Sequence, residues 1–223
     1  IYRKVITSAQ NRQGPPIIQA FYDLVKLWHK KPLRTENDPF FKSAPFFYFI
    51  ATYALFMIIP FSLVAFKYDF IFLIYLTILS SAFYVLAGIA SDSPYAIVGA
   101  MREMILMICY EITLALTIIS FMLLNNAFSM SELTASLAVL KLPLASAALL
   151  AITIVELKVT PFDTVEASTE ILTSVEVEYS GKQLFFMELA DYLKRLFYVL
   201  LVPLFLLGLK NPFLYVAGGL VTL

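Results

Sequence analysis

The 223-residue sequence holds one cysteine, Cys109, and one histidine, His29. One of each cannot supply a disulfide framework, an iron–sulfur cluster, a zinc site or a bis-histidine haem, which all need more such ligands. Charge is scarce as well. Only 14% of residues are Asp, Glu, Lys or Arg, against about 25% in a soluble domain, so charged groups cannot cover the surface as water requires. Sixteen basic residues balance sixteen acids, which leaves no overall field to recruit nucleic acid. There is no internal repeat of the kind that marks many transporters, and no low-complexity run.

What is present is apolar. The AVILMFWYC set makes up 61% of the chain and mean hydropathy is +0.83, so the expected environment is a lipid bilayer and the expected fold an all-α, polytopic transmembrane helix bundle. Windows of about 20 apolar residues predict spans at 45–66, 70–90, 97–124, 135–157 and 185–208, with an incomplete one from 212. The layout read from this is a single membrane domain over 1–223. It comprises a segment 1–43, four spans within 45–157, an acidic loop 158–184, and one span plus a partial one in 185–223. Both ends read as cut, since the chain opens on Ile1 and Tyr2 rather than Met and leaves about a dozen apolar residues after Pro212, against the roughly 20 that a span needs.

Sidedness follows from where the charges lie. Residues 1–43 carry eight of the sixteen basic residues and three acids, which places them in the cytoplasm by the positive-inside rule. Within them, Gly14-Pro15-Pro16 breaks the chain and Phe21, Leu24, Val25 and Trp28 follow at helical spacing, which predicts an amphipathic helix lying along the interface. Alternation then puts loop 158–184 inside too. Orientation does not explain its sign, because residues 156–191 hold eight of the sixteen acids and only Lys158 and Lys182 as bases.

Several charges fall within or beside the spans. Ser93-Pro94 is a helix start, with Ser at the N-cap and Pro at N1, and the helix it opens carries Arg102, Glu103, Tyr110 and Glu111. A carboxylate at the bilayer centre costs about 2.5–3.5 kcal/mol, so Glu111 should face the bundle interior, protonated or paired. Glu103 and Tyr110, seven apart, share one face with Glu111 on its flank. Glu156 and Lys158 close the next span. Asp163, Glu166 and Glu170 follow at spacings of three and four, which stacks them on one helical face, where mutual repulsion should raise some of their pKa values. Groups of this kind suit a proton relay. Lys194 and Arg195, just after Asp191, offer to neutralise part of the cluster. Cys109, in an apolar run, is read as packing.

These residues resemble a known family: the H-type (subunit 1) membrane protein of respiratory complex I and its relatives in energy-converting, membrane-bound nickel–iron hydrogenases. Three stretches carry the resemblance. Gln10 to Pro15 with the amphipathic run from Phe21 to Leu27 is similar to the family's first cytoplasmic loop. Ser93 through Ala96, Gly99 to Arg102 and Tyr110-Glu111 resemble its charged helix. Glu156 through Pro161-Phe162-Asp163, Glu166, Glu170, Val177 to Gly181 and Leu189 to Tyr192 resemble its long acidic loop and the helix after it. The family fold has eight spans, which would make this chain a truncated form.

The chain departs from the pattern in three places. Ser168 replaces the second acid of the usual Glu-Ala-Glu, Val159 replaces an Arg with Lys158 beside it, and the first loop is short. The first two weaken any transfer of a quinone-chamber role, and the short loop resembles the hydrogenase branch more. The resemblance implies a subunit that makes no bond itself. It would dock a peripheral, ferredoxin-linked module through Arg12, Gly14, Pro15, Glu178 and Tyr179. It would couple redox chemistry to proton or ion movement through Glu111, Glu103, Tyr110, Glu156, Asp163, Glu166, Glu170 and Asp191, with Arg102, Lys158 and Arg195 as charge partners. Iron–sulfur clusters and a nickel–iron site, or a related sulfur-reducing site, would sit in partner subunits, with antiporter-like membrane subunits alongside, in the cytoplasmic membrane. Alternatives are a quinone-site subunit, a self-contained ion carrier and an inert anchor.

Overall fold

The computed structural model describes residues 7, 10–12, 14, 16, 18–31, 39–58, 68–126, 128, 141–158, 162 and 174–207. Their elements, in order, are α1 (Gln19–His29), α2 (Pro39–Ile58), α3 (Asp69–Ile89), α4 (Pro94–Asn125), α5 (Pro143–Glu156), a 3₁₀ turn (Ser174–Glu176) and α6 (Lys182–Leu207). No strand occurs among the described residues. The fold is an all-helical membrane bundle.

Three helices, α2, α3 and α4, are long and apolar enough to cross a bilayer. At about 1.5 Å per residue, the 32-residue α4 is roughly 48 Å long and exceeds a hydrocarbon core of about 30 Å. Its start follows the sequence signal, with Ser93 extended at the N-cap and Pro94 at N1, although the Ser93 side chain makes no capping bond. Its end is made by Asn126 in the left-handed region (φ 48°), whose N–H bonds back to the Met122 carbonyl. The span expected at 135–157 is described as the shorter α5, and 135–140 lie outside the described residues, as do 59–66 and everything from 208. At 185–208 stands the continuous α6, which carries Glu188, Asp191, Lys194 and Arg195 in its first 14 residues.

α2 packs on α3 and α6, α3 on α4, α4 on α5, and α5 on α6, which closes the bundle, while α1 lies against α6. Large apolar side chains at Val98, Met101, Ile105, Ile112, Leu116 and Leu123 stay exposed along one stripe of α4, as a lipid-facing surface requires. Cys109 is exposed. Its expected packing role is corrected: it lies beside Ile108 and Ile112, both exposed, because the bundle has its interior on the Tyr110 and Leu114 side.

Two apolar clusters fill the interior. One runs through Leu55, Leu73, Tyr110, Leu114, Ile152 and Phe197. The other holds Phe41, Tyr48, Tyr84, Ala100, Val175 and Met187. Between the two, in chain order on each helix, fall Thr52 of α2, Ser81 of α3, Glu103 of α4, and Asp191 and Lys194 of α6, all buried. A polar layer thus crosses the bundle between two apolar ones. Buried hydroxyls of Thr52, Thr77, Ser80, Thr117 and Thr153 bond to carbonyls three or four residues back, which satisfies them without a partner helix.

Candidate functional site

The polar layer is built from α2 to α6 together. Asp191 of α6 is 6% exposed and accepts three bonds. Tyr48 of α2 donates its hydroxyl to Oδ1 at 2.7 Å, while Lys158 Nζ at 3.1 Å and Arg195 Nη2 at 3.2 Å both reach Oδ2. One turn further along α6, Lys194 is equally buried. Its ammonium stands 3.2 Å from Glu156 Oε1, donates to Ser81 Oγ at 3.1 Å, and reaches the Tyr110 hydroxyl at 3.4 Å. Charges taken out of water at this depth are tolerated only when paired and hydrogen-bonded in this way.

Lys158 gets there by an unusual route. α5 ends at Glu156, and Lys158 adopts φ 52°, a left-handed conformation that costs a non-glycine residue about 1–2 kcal/mol. Its N–H closes on the Val155 carbonyl. The side chain, only 11% exposed, lies over the Tyr84 ring at 5.2 Å as it meets Asp191. Tyr84 in turn packs on Tyr48, ring centroids 5.3 Å apart.

Glu103, Glu156, Lys158, Asp191, Lys194, Tyr48 and Tyr84 border a small polar cavity with about 10 Å³ of room, close to the minimum for one water molecule. Glu103 and Glu111 are 6% and 5% exposed. Glu111 lies against Ser81, and its Oε1 has no hydrogen-bond partner. The Tyr198 hydroxyl, buried and without a bond, faces Glu156. The groups gathered in this layer are carboxyl, ammonium and hydroxyl groups, all of which can hold or exchange protons.

Other sequence-derived candidates lie elsewhere. Arg102 is half-buried on α4, and Arg12 and Gly14 are exposed ahead of α1. Glu178 is half-buried, whereas Tyr179 is 3% exposed. The Tyr179 ring stacks on Phe41 at 4.3 Å and its hydroxyl donates to the Ala87 carbonyl. Pro15, Asp163, Glu166 and Glu170 lie outside the described residues. Sequence reading missed Tyr48, Ser81, Tyr84 and Tyr198. Only Ser81 carried a signal, as half of a Ser-Ser pair in the middle of an otherwise apolar span.

A second feature is a groove of about 300 Å³ between α1 and α6. It is lined by Asp23, Lys26, Lys30, Glu188 and Tyr192 with three leucines. Trp28 of α1 is seated edge-on against Phe185 and Phe186 of α6, with Lys182 over its ring at 5.3 Å.

The family described as NADH dehydrogenase matches across residues 1–223. The chain belongs to this family. Among its relatives, the NADH-ubiquinone oxidoreductase chain 1 of Balaenoptera physalus is 31% identical over 239 residues, covering 98% of this chain and 74% of that protein. The H-type subunit of the NADH-quinone oxidoreductase of Dehalococcoides mccartyi is 33% identical over 216 residues, covering 92% of this chain and 61% of that protein. In structure the chain is similar to a chain of the membrane-bound sulfane sulfur reductase, an archaeal respiratory membrane complex. There the TM-score is 0.86 and identity 26%, covering 99% of this chain and 76% of that one. As a protein of this H-type, the chain is a membrane-embedded part of a complex I-related oxidoreductase assembly, and its partners are other subunits of that assembly.

Proposed function

We propose that the chain is the membrane subunit of a ferredoxin-linked, energy-converting complex of the hydrogenase kind or its sulfur-reducing sister. It docks a peripheral redox module and couples that module's electron transfer to proton or ion movement. The observation that carries this reading is the buried layer of Glu103, Glu156, Lys158, Asp191 and Lys194. An inert anchor has no use for charges that each cost several kcal/mol to bury. Likeness to the sulfane sulfur reductase chain over 99% of the sequence supports the sulfur-reducing variant, and the short first loop, Ser168 and Val159 argue against the quinone-reducing one.

In this reading Asp163, Glu166 and Glu170 lie beneath the module, and a change of charge there shifts protons through the layer to Glu111 and on to antiporter-like subunits. Iron–sulfur clusters and the site of acceptor chemistry belong to partner subunits, in the cytoplasmic membrane. The test is a metal, sulfide and quinone assay on the complex purified through this chain. Iron and sulfide with sulfur-reducing activity, or with nickel and hydrogen evolution, are the expected results. Quinone reductase activity overturns both.

The second reading, quinone reduction, is favoured by the α1–α6 groove, which is part apolar and carries a tyrosine hydroxyl and charges of both signs. The names of the ubiquinone- and quinone-linked relatives agree with it. It expects quinone to co-purify with the complex.

A further inference from the structure

The polar layer has a gap. Glu156 and Lys194 form one pair, and Glu111 lies apart from it on α4, with an oxygen that nothing in the described residues bonds. No ion pair joins the two among the described residues. Ser81 of α3 is the group between them. It is fully buried, accepts from Lys194 Nζ at 3.1 Å, stands 3.4 Å from the Tyr110 hydroxyl, and lies against Glu111. Its own proton is directed at the Thr77 carbonyl, 3.1 Å away. A hydroxyl has one proton and two acceptor positions, so a rotation about its side-chain bond is enough to redirect that proton.

We propose that Ser81 is the relay through which a proton passes from the Lys194–Glu156 pair to Glu111. The inference rests on the coupling role argued above and names the residue that completes it. An N–H bond of the Lys194 ammonium breaks and an O–H bond forms on Ser81, while the original Ser81 O–H bond breaks and its proton joins the Glu111 carboxylate. Lys194 is left as a neutral amine and Glu111 as a carboxylic acid. A proton arriving by way of Glu156, which faces Lys194 at 3.2 Å, then restores the ammonium. The groups facing Ser81 are Lys194 of α6, Tyr110 and Glu111 of α4, and Thr77 on its own helix, with Glu156 of α5 behind the ammonium.

Ser80 supplies an internal control. It is equally buried, and its hydroxyl bonds the same Thr77 carbonyl at 2.8 Å. The experiment uses the intact complex in proteoliposomes. The readouts are the infrared carbonyl band of protonated Glu111 on reduction, assigned by its loss in Glu111→Gln, and ions moved per electron transferred. Ser81→Ala is expected to slow the appearance of the band about a hundred-fold, the lower range for loss of a positioned proton-transfer group, and to lower the ion-to-electron ratio. Ser80→Ala should behave as wild type. Wild-type band kinetics in Ser81→Ala, with Glu111→Gln uncoupled, overturn the relay and leave the coupling role standing. Equal losses in Ser80→Ala and Ser81→Ala also overturn it, by showing a packing effect. An unchanged ratio in Glu111→Gln overturns the relay and the coupling role together.

Discussion

Asp191 and Lys194 are three residues apart on α6, yet each is held by different partners, and this decides what their removal costs. Lys194→Met strands Glu156 against an uncharged neighbour at full burial, which costs about 3–5 kcal/mol, whereas replacing both partners by apolar residues of similar volume is close to neutral. We expect Lys194→Met to lower the unfolding midpoint of the detergent-solubilised protein strongly and Lys194→Met with Glu156→Leu to recover most of the loss. Chemical denaturation of the two variants checks this. Tyr48→Phe removes one of three bonds to Asp191 and should cost about 1.5–3 kcal/mol, the range for a hydrogen bond to a charged group. A loss below about 0.5 kcal/mol in the same assay would show that the two cations already satisfy the carboxylate.

At this scale the sequence showed half of the site. Glu103, Tyr110 and Glu111 could be put on one inward face because helical spacing and the cost of burying charge are local rules. Lys158, Lys194 and Arg195 could be read as charge partners, but which distant group each meets could not. Lys158 and Asp191 are 33 residues apart and meet only because Lys158 leaves α5 in a left-handed conformation, which a lysine does not advertise. Tyr48 is one of 33 Phe and Tyr residues in the chain, and nothing local marks it as the one that reaches Asp191.

Among elements, α3, α4 and the 3₁₀ turn meet closely at Gly88. A Cβ placed on Gly88 would stand 2.8 Å from the Ala100 Cβ and 2.9 Å from a Val175 methyl, so no side chain fits unless the turn or a helix moves. Gly88→Ala should therefore cost about 1–3 kcal/mol, as overpacking does, and should loosen the chain at 174–180 from α3. Limited proteolysis reads this directly as faster cleavage at 174–180, with Tyr179→Phe, which loses the bond to Ala87, giving a weaker effect of the same sign. The spans that form α2, α3 and α4 were legible, because runs of about 20 apolar residues have no other use. The closing of the loop's far end over Phe41 and Gly88 was not, since it depends on an aromatic stack between Phe41 and Tyr179, far apart in the chain.

For the whole molecule, the outward stripe of α4 and the inward polar layer set opposite rules for the same substitution. Ile112→Lys places a cation near mid-helix on a face that is 58% exposed, where lipid offers no partner, and should cost at least the roughly 2.5–3.5 kcal/mol of the insertion scale. The yield of inserted protein in membranes checks it. Comparable yield from Ile112→Lys and wild type would mean that protein or water, rather than lipid, covers this stripe.

The polar layer lies between two apolar clusters like the middle ply of a laminate, which under the proposed coupling role is a conducting sheet pressed between insulators. On one side of the sheet, Leu55, Leu73, Leu114, Ile118, Phe121 and Phe205 are all 3% exposed or less and join in one cluster, with hydroxyls such as Thr117 bonded back to their own helix. A proton arriving in the sheet finds no wire leading straight through these described residues to the far face. Its low-resistance direction is sideways, in the plane of the membrane. Under the proposed coupling role, current entering this chain would have to be collected by a neighbour, and the subunit alone should behave as an open circuit.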